Sequence, residues 1–155
     1  MTPPPTDPLE EVTGEVLVLF HYQDVPVPRK TLGKVDWYLS GAVSRVAVDG
    51  KFTGALGTAA LFHPAGKFQV EKILVLGLGA RAKVDRPTLQ AAATHLRSLL
   101  DNLHARDIRI VVPDSPDTRI QEVLDVFAAT LCSPGERPND PPTVTFLAYE
   151  HEDHT

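Results

Sequence analysis

Two stretches of this chain constrain its fold more than any others. Glu15-Val16-Leu17-Val18-Leu19-Phe20 and Lys72-Ile73-Leu74-Val75-Leu76 are almost unbroken apolar runs, with no alternation of polar and apolar residues. A strand with one face in water alternates, whereas a strand covered on both faces stays apolar throughout. Both runs therefore belong in the middle of a layered fold, and the rest of the chain must supply the covering layers. Val35, Leu39, Ala42 and Val46 recur at helical spacing between Gly33 and Val48, and Asp49-Gly50 ends that helix. Thr58 to His63 has strand composition and is followed by a turn at Pro64-Ala65-Gly66. After the second apolar run, Asp85 is placed to cap a helix with Pro87 in its first turn. The apolar face of that helix is Leu89, Ala92, Leu96, Leu99, Leu100 and Leu103. Asp107 to Val112 reads as a strand. A helix beginning near Asp117 carries Ile120, Val123, Leu124, Phe127 and Leu131, and a last strand runs from Thr143 to Tyr149. The order β-α-β-β-α-β-α-β predicts an α/β fold with a largely parallel sheet between helices.

Proline brackets this pattern, with Pro3, Pro4, Pro5 and Pro8 at the front and Pro134, Pro138, Pro141 and Pro142 near the back. Each removes a backbone donor and fixes φ. Residues 1–11 are thus expected to be a flexible tail, 12–150 one domain containing a loop at 133–142, and 151–155 a polar tail. A net charge of −5 argues against nucleic acid, whose binding draws on clustered Lys and Arg. The opening Met1-Thr2-Pro3-Pro4-Pro5-Thr6-Asp7 has neither the basic segment nor the apolar core of a secretory signal. No run approaches the roughly 20 apolar residues of a spanning helix. The expected address is the cytoplasm, with no membrane partner. Cys132 is the only cysteine, which excludes an intrachain disulfide and a thiolate zinc cluster.

Several groups are candidate carriers of chemistry. Gly77-Leu78-Gly79 joins a buried strand to a helix, where α/β proteins cradle phosphates on backbone N–H groups. Gly77 and Gly79 are therefore a candidate anion or phosphate site, and Gly54 to Gly57 forms a second glycine loop. A dinucleotide fingerprint would need glycine where Ala82 stands, there is no Walker Lys-Ser/Thr pair, and tight packing explains two glycines equally well. His21, His63, His95 and His104 fall on different elements without ligand spacing, apart from the last two, nine apart on one expected helix. His151-Glu152-Asp153-His154 lacks the register of a zinc protease. Asp36, Asp49, Asp85, Asp114 and Asp117 sit where Asp caps helices and turns, and no serine lies in a nucleophile elbow. Trp37 with Tyr38 is a core pair, or Trp37 anchors an interface. No catalytic residue, metal ligand or cofactor is assigned.

Asp36-Trp37-Tyr38-Leu39-Ser40-Gly41-Ala42, Lys51-Phe52-Thr53-Gly54 and Lys72 to Gly79, in that order and followed by Ala91-Ala92-Ala93, resemble the N-terminal domain of the leucyl (cytosol) aminopeptidases, peptidase family M17. The resemblance covers roughly residues 12 to 131 and implies a macro-domain-like, three-layer α/β/α fold with a mixed, largely parallel sheet. It also implies that the metal ligands and catalytic groups belong to a separate C-terminal domain. The Asn-Thr-Asp-Ala-Glu-Gly-Arg signature of that domain occurs nowhere in the sequence. The expected role is thus that of a stand-alone, non-catalytic homologue acting in oligomerisation or regulation, with a second copy or a separate protein as partner. The alternative is a module binding a small phosphorylated ligand, a nucleotide or ADP-ribose, and a metalloaminopeptidase is the third reading.

Overall fold

The computed structural model describes residues 13–23, 35–36, 39–48, 50, 52–64, 69–80, 85–111, 120–131 and 143–147. The expected tails at 1–11 and 151–155, the loop at 133–142, Trp37, Tyr38, Cys132, Asp49, Asp114 and Asp117 lie outside the described residues.

Five strands form one sheet: β1 (Thr13–His21), β2 (Ala59–Phe62), β3 (Gln69–Gly77), β4 (Asp107–Val111) and β5 (Thr143–Leu147). Their spatial order is β2-β3-β1-β4-β5. Strand β1 pairs in parallel with β3 on one side and β4 on the other, and β4 pairs in parallel with β5. Only the short β2 runs antiparallel, against β3. The sheet is mixed and largely parallel, as the sequence pattern predicts.

The unbroken apolar runs have the expected cause. Val16, Val18 and Phe20 of β1 pack on one face, in a cluster with Leu89, Ala92, Ala93, Leu96 and Leu100 of helix α2 (Arg86–Asn102) and Val126, Phe127 and Leu131 of helix α3 (Ile120–Leu131). Phe20 meets Phe127 edge-on, with ring centroids 5.4 Å apart. Leu17 and Leu19 face the other way, into a cluster with Val35, Phe52, Ile73, Val75 and Val43 of helix α1 (Ala42–Val48). Every β1 side chain from Val16 to His21 is buried. Fully burying one such aliphatic side chain is worth about 1.5–3 kcal/mol, so the two faces together anchor the fold on β1.

The expected helix from Gly33 to Val48 is not continuous. Val35 and Asp36 are helical, Leu39 to Gly41 form a turn, and α1 begins at Ala42. Ser40 and Gly41 both take positive φ, 58° and 80°, which a helix cannot contain. The spacing of Val35, Leu39 and Val46 survives because the apolar face continues across the turn. Asp36 then acts at a distance: its two carboxylate oxygens accept from the N–H and the hydroxyl of Ser44, at 2.9 and 2.6 Å. Those are bonds to an orphan donor of the first turn of α1. The cap expected at Asp85 is present, its carboxylate accepting from Thr88 N–H at 3.0 Å. That bond and a second from the Thr88 hydroxyl hold the Asp85 carboxyl below its ordinary pKa. His104 is not on the same helix as His95. It lies past the end of α2 with φ 54°, the left-handed residue that commonly follows a helix C-cap.

Candidate functional site

In open α/β sheets the crevice for ligands lies beyond the carboxyl ends of the parallel strands, where connections leave in opposite directions. Here β1 is that point, with β3 and β4 on either side. Its end, His21-Tyr22-Gln23, meets the end of β3, Gly77-Leu78-Gly79, and the loop from Phe52 to Thr58. The three segments are laced by their backbones. Leu78 N–H donates to His21 C=O at 3.0 Å, and Gln23 N–H donates to Gly79 C=O at 2.9 Å. Gly77 N–H donates to Thr58 C=O and Gly79 N–H to Gly54 C=O, both at 2.9 Å. Thr58 closes the loop on itself, its N–H and hydroxyl both reaching Ala55 C=O.

This lacing explains the glycines. A Cβ at Gly77 would stand 2.2 Å from Ala55 O and 2.5 Å from Gly54 C, inside the backbone of the facing loop. At Gly54, which has φ 86°, it would stand 2.9 Å from His21 Cδ2 and 3.0 Å from the Tyr22 carbonyl carbon. Glycine at the two positions lets the loop backbone lie against the end of β3 on one side and the end of β1 on the other. The sequence marks Gly77 and Gly79 for a candidate anion site. In the structure the N–H groups of Gly77, Leu78 and Gly79 are all donated to carbonyls of the same chain, so a bound phosphate would have to take its hydrogen bonds from other donors.

His21 is the titratable group inside this crossing. It continues the Leu17, Leu19 stripe on the α1 side of the sheet, is 5% exposed, and sets its ring against Phe52 at a centroid distance of 5.9 Å. Burial pushes its pKa below the ordinary histidine value, because a charged imidazole would lose hydration there. In the sequence His21 stands out only by its position just past a buried strand, and it has no metal-ligand spacing to the other histidines. Of the other candidates, Asp36 and Asp85 serve as caps and His63 is exposed. Among the described residues no group of three or more His, Cys, Asp or Glu could hold a metal ion. Nor is any described helix long and apolar enough to cross a membrane. Leu56 and Leu61 are large apolar residues left open, at 44% and 42% exposure. Leu61 lies on β2, the edge of the described sheet. Leu56 lies over the glycine turn, its Cβ 3.6 Å from where a Gly79 Cβ would be.

Residues 14–132 match the model of the cytosol aminopeptidase family, N-terminal domain. The chain belongs to this family. A probable cytosol aminopeptidase of Geobacter sp. (strain M21) is 32% identical over 107 residues, which are 69% of this chain and 21% of that protein. The chain thus spans about a fifth of the length of this curated relative. Among solved structures, a tomato leucine aminopeptidase mutant superposes with a TM-score of 0.62 at 14% identity, covering 93% of this chain and 31% of that one. A Trypanosoma brucei macrodomain in complex with ADP superposes with a TM-score of 0.72 at 12% identity, covering 95% and 63%. These likenesses extend to the fold. The glycine crossing of this aminopeptidase N-terminal domain therefore lies at the carboxyl end of the parallel strands in a macrodomain-like sheet.

Proposed function

We propose that this aminopeptidase N-terminal domain is a non-catalytic, cytoplasmic module that acts through protein contacts, with a second copy or a separate protein as its partner. One observation carries the reading: the open apolar side chains, Leu56 and Leu61, lie on the glycine loop and on the edge strand β2, next to a strand end whose polar backbone groups already serve one another. Exposed apolar side chains at a sheet edge suit association with another chain. Light scattering over a concentration series tests it. An assembly larger than the monomer, or a co-purified partner, is expected for the native chain and is expected to be lost in the double variant Leu56→Glu, Leu61→Glu. A monomer at every concentration with no partner in pull-downs would overturn it.

The second reading is a module for a small phosphorylated ligand, and the likeness to a macrodomain solved with ADP favours it. Titration calorimetry with ADP, ADP-ribose and inorganic phosphate separates the two, and the absence of heat with all three would remove it. Aminopeptidase activity, the third reading, requires turnover of a leucine anilide by the purified chain with added zinc or manganese.

A further inference from the structure

We propose that His21 is a proton-sensitive latch on the Phe52–Thr58 loop. Its ring fills the space between Phe52 and the bare Cα of Gly54, with Cδ2 only 2.9 Å from where a Gly54 Cβ would lie. The same two residues fix the surrounding backbones, since His21 C=O accepts from Leu78 and Gly54 C=O accepts from Gly79. A charged ring that is only 5% exposed gains hydration when the loop moves away. That movement breaks the bond from Gly79 to Gly54.

Among the described residues, the neighbouring charges do not offset this. On the α1 side, Asp36 is bonded to Ser44 and the Arg45 guanidinium to Ser40 C=O. On β3, His21 is in register with Gly77, and Glu71 and Lys72 lie towards the other end of the strand. On β4, Asp107 and Arg109 are at the opposite end of the sheet as well. Burial lowers the His21 pKa. The sign follows: the closed form binds fewer protons than the open form. Closure is complete above the open-state pKa of about 6.5 and is lost as pH falls from there through the lowered closed-state value. Across that window the opening constant grows about tenfold per pH unit.

The latch is independent of whether Leu56 meets a partner. Amide exchange on the full chain, expressed as protection factors between pH 7.5 and 5, tests it. Protection at Gly79, whose N–H is bonded to the loop, is expected to fall about tenfold per unit across the window while Ile108 and Ile110 keep theirs, and His21→Phe is expected to be flat. Constant protection in the native chain, an equal fall at Ile108 and Ile110, or the same fall in His21→Phe would overturn it. Should His21→Phe not fold, the His21 ring is titrated by NMR in the native chain. A midpoint that coincides with the foot of the protection profile supports the latch, and one that does not overturns it.

Discussion

The two ends of the sheet are held in opposite ways. At the carboxyl end, three backbones touch through glycines, and no long side chain takes part in the lacing of Gly77, Gly79, Gly54 and His21. At the amino end, one long side chain does the joining. Arg109 of β4 donates through Nε to Thr13 C=O of β1 at 2.8 Å and through Nη1 to the Thr145 hydroxyl of β5, with Nη2 3.4 Å from Asp107 Oδ1. Its stem passes over Gly14, where a Cβ would come within 3.2 Å of Arg109 Cγ. A side-chain tie can adjust by rotating; a backbone crossing that leaves no room for a Cβ cannot. The carboxyl end is thus the less forgiving of the two, and it is the end that carries the loop and the open apolar side chains.

Substitution at each end breaks this comparison if it is wrong. The largest effect is expected for Gly77→Ala, whose methyl has no space in the facing loop. Urea unfolding should report a loss of at least about 3 kcal/mol, beyond ordinary overpacking. Arg109→Met keeps the stem over Gly14 and removes the guanidinium. It leaves Thr13 C=O without its donor and Asp107 Oδ1, already buried without a hydrogen bond, without its cation, at an expected cost of about 1–3 kcal/mol. Equal costs for the two variants would undo the contrast. The smallest effect is at His104, which leads into β4 at the amino end with a left-handed backbone. His104→Gly is expected to raise stability by about 0.5–1 kcal/mol, read as a higher melting temperature. A gain there would show that the amino end retains slack which the carboxyl end has lost.

Much of the architecture was legible because it follows from local pattern. Val16 to Phe20 and Ile73 to Leu76 announce strands covered on both sides, and Asp85 with Pro87 announces a helix start, so each could be read without knowing its neighbours. The break at Ser40-Gly41 was harder to see, because the apolar spacing runs on across it; the Ser-Gly pair was the one local mark. The site was legible only in part. Gly77 and Gly79 stand out in the sequence, but their cause is the approach of Gly54 and Ala55, more than twenty residues earlier, and no local rule gives the register of two loops. His21 looked like one histidine among six for the same reason. Its meaning depends on Phe52 and Gly54, which only the fold brings beside it.

The central position of β1 also bears on how the chain reaches its native state. Its two neighbours are β3 and β4, and roughly ninety residues separate Val18 from its partner Ile110, the kind of distant pairing that slows folding. On the ribosome β1 must therefore emerge with one of its hydrogen-bonding edges unpaired and keep it so until β4 has been synthesised. Over that interval its most hydrophobic strand is available to chaperones, or to the wrong partner.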